Sequence, residues 1–321
     1  MNQSGERALK LYQILRTWTD PDHLLAMPEL LAMLEEEGLS SDRRSVYRTL
    51  ESLKNAGFDV VYKRSPKQGY YLDHALSVAE AVLLCDSVLE NTSLSKETSG
   101  HLCDVILSML SEYQKEQAYL TPPAASKTEQ NELTDNLAVL LKAIHSQKYV
   151  TFLYYDYTVS RRKQYRRSRQ KYRLAPAAVI ASSGRYYAVM YSDSHKSFAS
   201  YRIDKMEQAA VEEEHAEYHP FDAAQWVQTT FQMYRGEPET VILQFDLSMA
   251  NIVFDEFGYD ILITSAGAGS FTAAIRTGVT PTLVSWILQF HDRITVIKPQ
   301  SLVDRLLDIS EQVINRYGGR Q

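Results

Sequence analysis

At 321 residues the chain is too long for one ordinary hydrophobic core and divides into two or three domains. Its apolar fraction of 45% and charged fraction of 23% fit a globular protein, and no apolar run reaches the roughly 18 residues that span a bilayer. A formal net charge of −6 weakens any picture of a protein that coats nucleic acid over its whole surface, but allows one basic patch on one domain.

The opening MNQSGERALK lacks the apolar core of a signal peptide, so the expectation is a cytoplasmic chain with no membrane partner. Residues 5–73 then read as three helices and a short hairpin. LLAMPELLAMLEEEGLSSDRRSVYRTLESLKNAG holds a helix, a tight turn and a second helix, with Gly38 as terminator and Ser40 or Ser41 as N-cap. In the second helix Val46, Leu50 and Leu53 form the buried stripe, so Arg44 and Arg48 point away from it. Arg43, Ser45 and Tyr47 lie with them at the start of that helix, and Asn55 extends the outer face. Arginines one turn apart suit base edges and phosphates in a major groove. The run FDVVYKRSPKQGYYL sets two β-rich segments around a turn carrying Lys63, Arg64 and Lys67, positioned for backbone phosphate. The whole reads as a winged helix-turn-helix, residues 1–75, for a double-stranded DNA operator.

Residues 76–130 read as a helical connector, broken near NTSLSKETSG and ending in the linker TPPAASKTEQ. Cys85 and Cys103 are in neither CxxC nor zinc-type spacing and read as reduced thiols packed between helices. After a helix at about 131–145, residues 148–203 alternate aromatic and polar residues in short strands. The last third, 238–321, reads in the order βαββαβ plus one helix, a ferredoxin-like topology. The fold class is therefore multidomain α+β.

The stretch GRYYAVMYSDSHKSFASYRIDKM resembles the core of the WYL-domain transcriptional regulators. Tyr186, Tyr187 and Ala188 stand at their Trp-Tyr-Leu signature, and Tyr201 to Met206 at their Phe-Arg-Leu-Asp-Arg-Ile segment. SDRRSVYRTLESLKNAG with GYYL resembles their N-terminal winged helix, VTFLYYDY and LAPAAV their early strands, and SWILQFHDRITVIKPQSLVDRL their C-terminal WCX extension. The resemblance implies an Sm-like, SH3-type β-barrel over residues 131–220 that senses an anionic, nucleotide or nucleic-acid-derived effector, in a homodimer. It carries over Tyr154, Tyr186, Tyr187 and Arg202 as pocket residues. Lys205 replaces the family's second arginine, Tyr186 its tryptophan and Ala188 its leucine. Aromatic faces stack bases and a guanidinium grips phosphate, which agrees with that expectation. Strand alternation sends one of Tyr186 and Tyr187 inward.

RRKQYRRSRQKYR, residues 161–173, carries eight cations and no carboxylate. As an extended run it puts Arg167, Arg169, Lys171 and Arg173 on one face and Arg166, Ser168, Gln170 and Tyr172 on the other. The expectation is that Lys171 and Arg173 join Arg202 around an anionic small-molecule or oligonucleotide effector. Solvent and counterions on a loop tip are the other reading. His215 and His219 among Glu213, Glu214 and Glu217 are not in HExxH spacing and read as a solvated linker, so no metal is assigned. The GAG at 267–269 lacks the third glycine of GxGxxG and reads as a turn. No cofactor is assigned, and with no nucleophile motif the chain reads as a regulator and not an enzyme. A nucleotide-binding enzyme or RNA-handling accessory protein, using the winged helix for protein contacts, is the alternative.

Overall fold

Apolar residues recurring every three or four positions along the first three helices dictate the N-terminal core. A computed structural model describes residues 3–318 apart from 65, 122–131, 183, 225, 227–229, 232–233, 236–237 and 268. It divides into two units, Met1–Asp135 and Asn136–Gln321.

In the first unit, helices α1 (Gln3–Trp18), α2 (Met27–Glu36) and α3 (Arg43–Asn55) are followed by a hairpin of β1 (Val60–Lys63) and β2 (Gly69–Leu72). Leu11 and Leu15 of α1, Leu30 and Leu34 of α2, and Val46 and Leu50 of α3 meet in one core, closed by Val60 and Leu72 of the hairpin. Gly38, at φ +76°, ends the turn after α2 in a conformation that costs other residues more. The N-cap of α3 is Asp42 and not Ser40 or Ser41. Its carboxylate accepts from the Ser45 amide at 2.8 Å and from the Ser45 hydroxyl at 3.1 Å. Helical backbone begins at Arg43, so only the residue just before it can reach that amide.

Leu25 pairs with Tyr70 beside the hairpin through two backbone hydrogen bonds of 3.0 and 2.8 Å. That close approach requires Gly69, because a Cβ there would lie 2.9 Å from both Leu24 Cβ and the Leu25 carbonyl oxygen. Gly69→Ala is expected to cost about 1–3 kcal/mol through overpacking, read as a lowered denaturation midpoint of the N-terminal unit.

Helices α4 (Val78–Glu90), α5 (Lys96–Leu107) and α6 (Glu112–Gln117) follow, each starting at a serine N-cap: Ser77, Ser95 and Ser111. Cys85 and Cys103 are free and buried between α4 and α5, and burial pushes the Cys85 thiol up to about 12. Such thiols are unreactive. These helices are tied to the first three. Ser111 Oγ donates to Asp20 at 2.6 Å, and the His74 ring lies within hydrogen-bond reach of the Thr19 and Met109 carbonyls, at 2.8 and 3.0 Å. The expected linker at 121–130 lies, from residue 122 onward, outside the described residues.

Helix α7 (Glu132–Ser146) runs from the end of the first unit into the second, where β3 (Lys148–Tyr157), β4 (Lys163–Tyr165), β5 (Tyr172–Ser182), β6 (Arg185–Ser192), β7 (Ser197–Arg202) and β8 (Met206–His215) follow. The sheet runs β4-β3-β5-β6-β7, and β8 closes back onto β3. This curls the sheet into a half-barrel, filled by Phe152, Leu174, Ala188 and Met190. Asn136 of α7 caps one end, donating to the Ile203 and Met206 carbonyls at 3.3 and 2.9 Å.

A small hairpin, β9 (Thr230–Phe231) and β10 (Tyr234–Arg235), leads into the last part. There β11 (Pro238–Asp246), α8 (Ala250–Phe257), β12 (Leu262–Ala266), β13 (Ser270–Gly278), α9 (Pro281–Gln289), β14 (Ile294–Lys298) and α10 (Gln300–Tyr317) follow one another. The four strands form an antiparallel sheet in the order β12-β13-β11-β14. Alternate residues Val241, Leu243 and Phe245 of β11 pack against Leu283 and Ile287 of α9 and Leu302 of α10. Among the described residues, no helix is long and apolar enough to cross a membrane.

Candidate nucleic-acid interface and effector site

Helix α3 buries Val46, Thr49, Leu50 and Leu53, and helical periodicity turns the remaining residues outward. Arg43, Arg44, Tyr47, Arg48, Glu51, Ser52 and Asn55 share one open surface. Arg43, Arg44 and Arg48 form no ion pair among the described residues, and Tyr47 is 48% exposed. Three unneutralised guanidiniums beside an exposed ring suit a polyanion with flat bases. Ser45 is turned to a different task, since its hydroxyl and amide both serve the Asp42 cap.

The hairpin cations divide. Arg64 is exposed, whereas the Lys63 ammonium donates to the Pro21 carbonyl at 2.9 Å and Lys67 to the Leu24 carbonyl at 3.2 Å. Those two lysines therefore fix the loop 20–25 to the hairpin. Asp20 anchors the same loop. Burial opposes its charge, but hydrogen bonds from Ser111, His23 and two backbone amides hold its carboxyl below the usual range.

In the half-barrel, Tyr154 is buried, and its hydroxyl accepts from the Arg202 amide at 3.1 Å. Burial pushes that hydroxyl up to about 12, so it stays neutral at physiological pH. Tyr187 and Arg202 face each other across β6 and β7. Arg202 holds Asp204 through two hydrogen bonds of 3.0 and 2.6 Å, and Arg185 stands 3.8 Å from the same carboxylate. Tyr186 and Tyr187 are both half-buried, so neither fills the interior. Burial in β6 begins at Ala188, which is fully buried.

The basic run departs from the extended geometry expected of it. After β4 the chain makes a tight turn over Arg166–Arg169, in which Arg167, Ser168 and Arg169 have φ of 51°, 51° and 67°. Left-handed backbone at three successive non-glycine residues breaks the alternation, so Arg167, Arg169, Lys171 and Arg173 do not form one face. The run is not unpaired either. Lys163 pairs with Glu207 at 3.0 Å, Arg166 with Asp156 at 2.7 Å, and Arg173 with Glu212 and Glu214 at 2.7 and 2.6 Å. Arg173 also covers the Tyr149 ring at 3.7 Å and shares no partner with Arg202. Lys171 is exposed. Of the expected trio, Arg173 thus holds Glu212 and Glu214 and Arg202 holds Asp204, while Lys171 makes no ion pair among the described residues.

A different group converges. Tyr154, Tyr172 and Tyr201 meet with ring centroids 5.5–6.0 Å apart, around Phe152. Arg166 lies 5.1 Å over Tyr154, and Arg167 lies 4.1 Å over Tyr172. Asp156 joins Arg166 to Lys205, which it holds at 2.6 Å, and these two partners keep its carboxyl below the usual range. The sequence marks Arg166 and Arg167 as part of a basic run and Tyr172 and Tyr201 as strand aromatics, but not that the four meet. Arg166 and Arg167, exposed above this cluster, can offer guanidiniums to a phosphate. Ser168→Gly is expected to relieve left-handed strain and raise stability by about 0.5–1 kcal/mol, measured by thermal melting.

Of the histidine group, His215 lies in β8 opposite Lys148, and the His219 ring stacks on Tyr191 at 3.5 Å. At 267–269, the Gly267 amide donates to Ser270 across the turn, and Ala268 lies outside the described residues.

A WYL domain model matches residues 135–211, and a WCX domain model matches residues 237–314. The chain thus carries both domains. No curated protein matches. Among solved structures, Proteasome accessory factor B/C (PafBC) of Arthrobacter aurescens is similar at 14% identity and a TM-score of 0.29, over 97% of this chain and 48% of that one. A CRISPR Cas-related protein is similar at 10% identity and a TM-score of 0.24, over 99% of this chain and 92% of the other. The chain spans about half the length of the PafBC chain.

Proposed function

We propose that this chain, with its WYL and WCX domains, is a ligand-responsive, sequence-specific DNA-binding transcriptional regulator. The observation that carries the reading is the outer face of α3, where Arg43, Arg44, Tyr47 and Arg48 stand open opposite the buried Val46–Leu50–Leu53 stripe. We read residues 1–75 as a winged helix whose hairpin brings Arg64 toward phosphate. The strand order β12-β13-β11-β14 supports a ferredoxin-like reading of residues 238–321. The half-barrel over 131–220 is read as the effector sensor, with Tyr154, Tyr187 and Arg202 at its site, joined by Tyr172, Tyr201, Arg166 and Arg167. The effector class that fits is a planar anion such as a nucleotide or short oligonucleotide. Pairing of two copies would double the site read and require an inverted repeat.

The test is selection of binding sites from random-sequence duplexes, with mass spectrometry of small molecules and oligonucleotides that copurify with the chain. Enrichment of one inverted repeat supports the reading; uniform recovery of sequences overturns it. Salt dependence separates the two polyanions, because each lost phosphate contact flattens the log–log slope of DNA binding by about 0.9. Arg166→Gln with Arg167→Gln is expected to leave the effector-free slope unchanged. A slope flattened by about two would place the turn on DNA.

A further inference from the structure

A cavity of about 230 Å³ lies in the C-terminal unit. None of Tyr154, Tyr186, Tyr187 and Arg202 lines it. Its origin is visible in the pairing of β5. That strand pairs with β3 only through Tyr172, Arg173 and Leu174, so the next three residues, Ala175, Pro176 and Ala177, have no partner on that edge. Pro176 needs none, having no N–H, and the ladder to β6 shifts register just after it. Three small residues in succession leave the floor of the cavity empty of side-chain bulk.

The roof is the strap 216–221, which lies between the residues matched by the WYL and WCX domain models. It is tied at both ends. The Ala216 amide donates to the Gln147 carbonyl at 2.8 Å, and Phe221 packs on Phe198 and Trp226 with centroids at 4.9 and 5.5 Å. Between these anchors, His219 stacks on Tyr191. The wall is thus a run of rings in contact, Tyr191 against Phe198 at 5.1 Å and Phe198 against Phe221, which with the flat floor gives an apolar surface for a further ring.

Two charges border the slot, Lys148 and Glu217. Among the described residues the Lys148 ammonium has one carboxylate partner, Glu213 at 3.0 Å, whose side chain is fully exposed. A pair that solvated is weak and is readily exchanged for a ligand carboxylate. Glu217 makes no ion pair among the described residues and is free to receive an ammonium. The cavity has room for about eight waters, at about 30 Å³ each, which suits one ring with a short head group.

We propose that this slot binds a small aromatic zwitterion, of the chemistry of a free aromatic amino acid. The ring enters between Pro176 and the aromatic walls, the carboxylate meets Lys148 and the ammonium meets Glu217. The site stands independently of the DNA-binding reading.

The full chain is titrated with L-phenylalanine, 3-phenylpropionate and phenethylamine under saturation-transfer NMR. L-Phenylalanine is expected to bind at least tenfold more tightly than either compound lacking one charge. Ala177→Leu fills the floor and is expected to abolish the signal. Lys148→Met and Glu217→Gln each weaken binding about tenfold with an unchanged melting temperature, and they carry the test if Ala177→Leu does not fold. No transfer to L-phenylalanine at millimolar concentration overturns the site, as does transfer indifferent to all three substitutions. Equal binding of a singly charged compound overturns the zwitterion.

Discussion

Arg44→Ala and Arg48→Ala each weaken binding to the selected operator by about 1–3 kcal/mol, while leaving the melting temperature unchanged. Both side chains are exposed, and neither holds a carboxylate among the described residues, so their removal leaves no buried partner unsatisfied. The core behind them, Val46 and Leu50 at 0% and 1% exposure, is untouched by either change. A base-reading arginine and a phosphate-holding one are told apart by sequence dependence. Loss of a base contact relaxes preference at one position, whereas loss of a phosphate contact weakens all sequences alike. Wild-type affinity in both folded variants would show that α3 is not the reading helix.

Arg202→Ala destabilises the half-barrel by about 1.5–3 kcal/mol and removes the response to effector, while effector-free DNA binding persists. Arg202 and Asp204 are 27% and 14% exposed, and they share two hydrogen bonds. Removing the guanidinium leaves Asp204 with Arg185 at 3.8 Å as its nearest cation. The double variant Arg202→Ala with Asp204→Ala is therefore expected to be more stable than Arg202→Ala alone. Unfolding midpoints of the two single variants and the double variant measure this. Additive losses would show that the pair is too well solvated to matter. An intact effector response in Arg202→Ala would move the sensing site off this pair.

The outer face of α3 was legible in the sequence because helical period is local. Val46, Leu50 and Leu53 are enough to orient Arg44 and Arg48, whatever packs behind them. The order of elements in the last third was legible for the same reason, since each strand and helix carries its own period. The cap of α3 was narrowly missed because three polar residues, Ser40, Ser41 and Asp42, each qualify, and only the placement of the first helical turn chooses Asp42. The basic run was decided by tertiary structure alone. Its charges read as unpaired because the carboxylates that meet Lys163, Arg166 and Arg173 stand 44, 10 and 39 residues away. Pairing of β4, β5 and β8 onto β3 brings them into reach. The left-handed turn at Arg167, Ser168 and Arg169 leaves no mark in composition, since no glycine occupies it. The sequence by itself thus determined the helical reading face and the succession of strands, both set by local periodicity. Which tyrosines form a cage and which arginines lie over it depended on strand register and barrel closure, which are contacts between residues far apart in the chain.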